Sequence, residues 1–390
     1  MKNLLLALKG RFFLEENFMA STKGRIYSLD MLRGFFVATI FFFDAPPDNM
    51  YPILMHSAWE GFTLAEFGFP LFAFIMGVSM AISLSRRNPP MNRILKRVAI
   101  IFALGIFLGT LPHIFSLMLI DDFTWRNFFD GAIIHGRLFG VFQRLALIYL
   151  FAVLIVKAVK NDVGIFIAAF VILALSSAGY HIYAPENPFA VEHNISRAVD
   201  FIFPGANHIY LPTHDPEGFY GSIAGTASVL FGYLSGKILI DNAALRDRIF
   251  FMIAVGVVLL IAGGIWSRFD IICKNLWTTP YTLLNAGIDF IWLAIFMKLF
   301  DETFPKKHIY DLLIAFGRNP LFFFFANSVI VLFLFIMPVG DTNAYFWLYM
   351  HTTAGIISHD FGATLFCALW TILWFPVAEI FHRLKLVIKI

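Results

Sequence analysis

The sequence predicts an all-α fold: a polytopic membrane helix bundle of about ten transmembrane helices, with both termini cytoplasmic. Three observations carry this. The 390 residues are 59% hydrophobic and 14% charged, with a mean hydropathy of +0.76. A soluble domain would carry about 25% charged residues. Apolar runs long enough to span a bilayer, about 20 residues each, recur with centres near Val37, Ile75, Leu108, Leu147, Phe170, Leu230, Val258, Phe290, Phe325 and Trp370. Lysine and arginine also collect in alternate loops, from Arg86–Arg97, through Lys157/Lys160 and Lys237–Arg248, to Lys306/Lys307. By the positive-inside rule those loops are cytoplasmic. Residues 1–27 then form a basic cytoplasmic segment, an interfacial helix with a brief apolar run from Leu4 to Leu8, and residues 28–390 form the membrane domain.

Composition also excludes classes. The net charge of +3 is too small to point to nucleic acid. The two cysteines, Cys273 and Cys367, lie far apart, so neither a disulfide framework nor a cysteine metal site is implied. The lipid bilayer is the one partner that composition requires. Oligomeric state, including a homodimer, stays open.

Along the chain, the first helix carries Asp30 and Arg33 three residues apart, an intrahelical pair, with Gly34 beside them to let a second helix approach. Between the first two apolar runs lies His56–Pro70, HSAWEGFTLAEFGFP. Wound as a helix, His56, Trp59, Thr63 and Glu66 share one face at the outer mouth of a membrane helix. Ionisable groups there usually have a job, although an interface anchor would also use histidine and tryptophan. Arg144, after Gln143, enters the fourth helix from outside.

The longest outer connection, His181 to Phe219, holds four histidines and ends in Asp215-Pro216-Glu217-Gly218. No pair has tight i, i+4 ligand spacing, so a lid over the outer mouth is the better reading and no metal is expected. Lys274-Asn275-Leu276-Trp277-Thr278 combines a cation, an amide and an aromatic, as a sugar site would, or as an interface anchor would. Arg318 and Asn319 open the ninth helix from the cytoplasmic side. Cations at one end and a histidine face at the other suit a long anionic donor threaded through the bundle.

These blocks together resemble the heparan-alpha-glucosaminide N-acetyltransferase family. The resemblance rests on Ser28-Leu29-Asp30-Met31-Leu32-Arg33-Gly34, on His56-Ser57-Ala58-Trp59-Glu60-Gly61-Phe62-Thr63, and on the run Phe69 to Gly77. Gly140 to Leu147, Asp215 to Gly218 and Lys274 to Thr278 follow in the family's order. The resemblance implies a transmembrane acyltransferase that takes acetyl from cytosolic acetyl-CoA, with no metal, and delivers it to a glucosamine-type amine across the membrane. It makes His56 the catalytic histidine, with Asp44 or Glu66 holding its tautomer. Arg33 with Asp30, Arg318 and Asn319 would meet the CoA phosphates. Trp59, Arg144, Asp215, Glu217, Lys274, Asn275 and Trp277 would receive an amino sugar or glycan acceptor.

This chain departs from the family where Asp44 replaces the usual Asn and Glu66 the usual Asp. It also lacks the soluble N-terminal portion of the lysosomal enzyme, which fits a multi-pass protein of a bacterial inner membrane. Those departures leave O-acetylation of an envelope glycan open as the alternative. An imidazole is suited to accept an ammonium's proton near neutral pH, or to carry the acetyl itself. A secondary transporter of ten helices would place its charges at the bilayer midplane, whereas these motifs cluster at helix ends. A degenerate binding subunit would have lost the histidine.

Overall fold

The computed structural model describes residues 26–119, 123–303 and 308–388. The expected N-terminal interfacial helix and the Lys306/Lys307 loop lie outside them. The described chain is nearly all helix: α1 (Tyr27–Phe43), α2 (Gly68–Arg87), α3 (Met91–Leu119), α4 (Val141–Val159), α5 (Asp162–Tyr183), α6 (Phe219–Leu239), α7 (Leu245–Trp266), α8 (Thr279–Phe296), α9 (His308–Arg318), α10 (Pro320–Ile336), α11 (Ala344–Thr352), α12 (His359–Leu373) and α13 (Phe375–Arg383). A two-residue hairpin pairs Pro338–Val339 with Thr342–Asn343.

All ten apolar centres fall within helices, yet fewer qualify as membrane spans. Among the described residues seven helices are long and apolar enough to cross a bilayer, or eight if one bent pair counts as a span. The expected count of ten is therefore not reached by this measure. At 17 residues α1 is short, and α6 is rich in glycine and serine. The bent pair is α9 and α10, which meet at 84°. The cause is local: Asn319 precedes Pro320, and a residue before proline is pushed out of the helical region; Asn319 sits at φ −127°, ψ 42°.

The described chain forms two compact units. The first comprises the chain up to Leu54 and from Trp292 onward. Its core gathers Val37, Phe41, Phe316, Phe323, Trp374 and Phe381, with Phe41 stacked on Trp374 at 5.1 Å between ring centres. Here α1 crosses α9 through Gly34 and Gly317. A Cβ on Gly34 would lie 1.8 Å from the Leu313 carbonyl oxygen, so the expected close approach at Gly34 is present. The second unit, Met55–Ile291, crosses α2 and α6 in the same manner, with Gly232 set against the Phe74 carbonyl. Membrane helices have no hydrophobic drive to associate with one another, and small residues let their backbones pack closely.

Candidate active site

Residues 55–63 are not helical, contrary to the single-face helix expected over His56–Pro70; regular structure resumes only with the short turn Leu64–Phe67 and then α2. The local chemistry explains why. Gly61 sits at φ +145° and its N–H donates to the Ile272 carbonyl, tying this loop to the one before α8. Thr63 Oγ1 donates to the Met55 carbonyl at 2.7 Å and closes the loop on itself.

The loop still brings His56 and Glu66 together. Glu66 is fully buried, and its Oε1 accepts from the Ser57 N–H at 2.9 Å while lying 3.3 Å from His56 Nδ1. The His56 side chain remains 42% exposed. Tyr281, from α8, donates its hydroxyl to the Glu66 backbone carbonyl. The result is a half-exposed imidazole backed by an immobile carboxylate.

Lys274 completes the constellation: its Nζ lies 3.2 Å from both ring nitrogens of His56. A tight turn places it there. The Trp277 N–H donates to the Lys274 carbonyl, the Thr278 N–H to Cys273, and the Thr278 hydroxyl to Ile271. Trp277 adopts φ +53°, a conformation costly for a bulky side chain. That turn points Lys274 at His56 and drives Trp277 inward. Cys273, in the same turn, is fully buried and burial pushes its thiol up to about 12, so it is no rival nucleophile.

The remaining expected site residues are placed differently. Trp59 donates its indole N–H to the Phe189 carbonyl and packs edge-on against His214 at 5.0 Å, so the 181–219 segment covers it. Of the two tryptophans expected to receive the acceptor, Trp59 is thus only partly exposed. Trp277 has no exposed surface, because it lies under the Arg144 guanidinium at 5.1 Å.

Asp215 and Glu217 are also buried, and both grip Arg137, through Nη2 at 2.7 Å and 2.5 Å respectively. Burial would raise the Glu217 carboxyl, but Arg137, Arg144 and Lys274 outweigh it and hold the group below its ordinary value. Burial likewise opposes the charge on Arg137, and the two carboxylates push its pKa up regardless. Arg144 donates to the Gly218 carbonyl at 2.8 Å, fixing the start of α6. Asn275 lies half-buried in the Lys274 turn.

In the first unit, Arg33 donates to Asp30 at 3.2 Å and to the Gly317 carbonyl at 3.0 Å, the expected intrahelical pair plus a bond across to α9. Asn319 is committed elsewhere than a phosphate. Its Nδ2 donates to Ala315 and Leu386 and its Oδ1 accepts from Ile388, which pins the C-terminal tail. Arg318 is half-buried at the α9–α10 bend. Asp44 ends α1 and accepts from Asn327 Nδ2 at 3.3 Å.

Sequence reasoning missed several polar residues. Asp200, buried beside the start of α6, accepts from the Phe219 N–H at 2.7 Å, and burial raises its carboxyl to about 7. Asp270 is bonded by His181 and by the Trp266 indole. Tyr281, Asn285 and Asp289 form a stripe at i, i+4 and i+8 on α8, a polar spacing present in the run TPYTLLNAGIDF. The four histidines of the long segment go to separate partners, and among the described residues no three His, Cys, Asp or Glu side chains could hold a metal.

Fold and site together define a multi-pass helical membrane protein with a histidine–carboxylate–lysine cluster at a helix mouth. No family model matches the chain. It is similar to the heparan-alpha-glucosaminide N-acetyltransferase of Mus musculus, 23% identical over 339 aligned residues that cover 71% of this chain and 49% of the mouse protein. The chain thus spans about half the length of the curated relative it matches, and the similarity supports a relationship to that family.

Proposed function

We propose that this protein is a transmembrane acetyltransferase that takes acetyl from acetyl-CoA on the cytoplasmic side and delivers it to an amino sugar on the outer side of a bacterial inner membrane. The observation that carries the reading is the half-exposed His56, with buried Glu66 at Nδ1 and Lys274 beside the ring, in a chain similar to a named N-acetyltransferase. A carboxylate at Nδ1 favours the tautomer with its proton on that nitrogen and leaves Nε2 as the basic atom. Nε2 then takes the proton of an acceptor ammonium, or attacks the thioester and carries the acetyl group. In either route Lys274 would meet the carbonyl oxygen as negative charge develops on it. Arg33 and Arg318 remain the donor-phosphate candidates, since guanidinium matches phosphate oxygens.

The test is release of free CoA from acetyl-CoA by the purified protein when glucosamine is added, with the acetylated product isolated. No release with any amino sugar, from protein that melts cooperatively, would sink the reading. A product cleaved by alkaline hydroxylamine, which amides resist, is an ester and would move the acceptor to a hydroxyl.

A further inference from the structure

Buried polar side chains in the second unit are left open in a pattern. Glu66 Oε2, Asn285 Oδ1 and both carboxylate oxygens of Asp289 are buried and make no hydrogen bond with the described residues. Buried polar groups are nearly always paired, and an exception in a native structure calls for an explanation such as bound water. These exceptions are aligned. Tyr281, which bonds the Glu66 backbone, precedes Asn285 and Asp289 by one and two turns of α8, placing Asp289 about 12 Å further along the helix. The Tyr281 hydroxyl lies within electrostatic reach of Glu66, Arg144, Asp289 and Cys273, so the stripe and the His56 cluster share one polar interior. Arg144 Nε and Nη1 and the Trp277 indole N–H, also open, supply donors there.

Beyond the stripe lies a cavity. Phe290, next to Asp289, lines a cavity of about 980 Å³ that also touches Asp162, Lys237, Asp241, Asp247 and Arg248. Those groups lie at the C-terminal end of α6, whereas Gly218, held by Arg144, lies at its N-terminal end. The stripe and the cavity therefore follow one another along the unit, with Asp289 itself outside the cavity's lining. Ionisable residues that face the interior of a membrane bundle mark functional paths, proton relays among them.

We propose that Glu66, Asn285 and Asp289 form a water-bearing proton path joining His56 at one end of this unit to the Lys237–Arg248 cavity at the other. The proton's direction rests on the acetyl-transfer reading; the path itself does not. Acetylation of an ammonium by a thioester breaks a C–S bond, makes a C–N bond and frees two N–H protons. One of them ends on the thiolate of CoA and the other goes to solvent. If the thiolate leaves on the side opposite His56, the path carries the proton that it needs.

Infrared spectroscopy of the purified full-length protein tests this without any acetyl transfer. In an Asp200→Asn background, which removes the other raised carboxyl, the acid form of Asp289 has a carboxyl C=O band, which Asp289→Asn should remove. On transfer to D2O the parental band should shift promptly, because water reaches the group. Asn285→Leu, similar in volume but unable to bond water, should slow that shift roughly tenfold, equivalent to about 1.4 kcal/mol on the exchange barrier. Should Asp289→Asn not fold, Asn285→Leu read against the parental band still decides. A parental protein without the band, a band surviving in Asp289→Asn, or exchange indifferent to Asn285→Leu overturns the proposal. Prompt exchange in a protein that never releases CoA would instead leave the path standing and remove the acetyl-transfer reading.

Discussion

Asn327 in the first unit and Asp289 in the second are both fully buried polar residues in apolar helices, and they are treated oppositely. Asn327 is satisfied: its Oδ1 accepts from the indoles of Trp370 and Trp374 at 2.9 and 3.1 Å, and its amide donates to Asp44. Asp289 has no hydrogen-bonding partner among the described residues. A satisfied buried group fixes the packing of the helices that supply its partners, since breaking it strands each of them. An unsatisfied one destabilises the fold, so its retention argues for a role in chemistry. On this contrast Asn327 holds helices of the first unit together, whereas Asp289 in the second is held by no hydrogen bond among the described residues.

The contrast is sharpened most by His56→Ala. The imidazole is half-exposed and its loss should cost about 10²–10⁴-fold in acetyl transfer, the range for a general acid–base group. The melting temperature in detergent should hardly move. A variant that acetylates glucosamine at the parental rate would break the second half of the comparison.

Asn327→Ala should show the reverse. Two indole N–H groups lose their acceptor, and a loss of about 2–4 kcal/mol in stability is expected. Specific activity per folded molecule should be nearly parental. If the variant melts normally yet fails to turn over, Asn327 belongs to the chemistry and the division of roles between the units fails.

Arg33→Ala probes a residue between the two cases. It has protein partners in Asp30 and Gly317, yet it is the kind of group that meets phosphate. Calorimetry should record roughly tenfold weaker acetyl-CoA binding, the effect of losing about 1.4 kcal/mol. Unchanged affinity would make Arg33 only the partner of Asp30.

A pH profile makes the last comparison, at Asp200, whose carboxyl is raised to about 7 by burial. A carboxyl of the unfolded chain titrates near 3.9, so between about pH 4 and pH 7 the folded state holds the extra proton. Stability should therefore fall as pH rises through that window and level off above it. Asp200→Asn keeps an acceptor for the Phe219 N–H and should flatten the profile, so its melting temperature gains on the parent most above pH 7. Parallel profiles from pH 4 to 8 would show that Asp200 is ionised throughout.

Much of the bundle was legible because a bilayer constrains sequence severely. All backbone polar groups must be satisfied within each span, so apolar runs read directly as helices. The glycine of the first helix was legible for a related reason, since close helix crossings need a missing Cβ. Span quality was harder to read: α1 and α6 are helices whose length or polarity only the packing of neighbours makes tolerable.

At the site, residue types were readable and partnerships were not. His56 and Glu66 do meet, but through a loop closed by Gly61 and Thr63 rather than along a helical face. Periodicity describes regular backbone and has nothing to say about such a loop. Lys274 reaches His56 across 218 positions of sequence, and no local pattern encodes that approach. Asp215 and Glu217 pair with Arg137, about eighty positions earlier, and no local pattern encodes that pairing either.

The sequence by itself determined an all-helical membrane protein, the order of its helices, and the set of chemically able residues at their ends. The tertiary structure decided which of those residues are neutralised by one another and which stay available. Hydropathy is a property of each residue in turn, whereas pairing and desolvation depend on which groups the folded chain brings within a few ångströms.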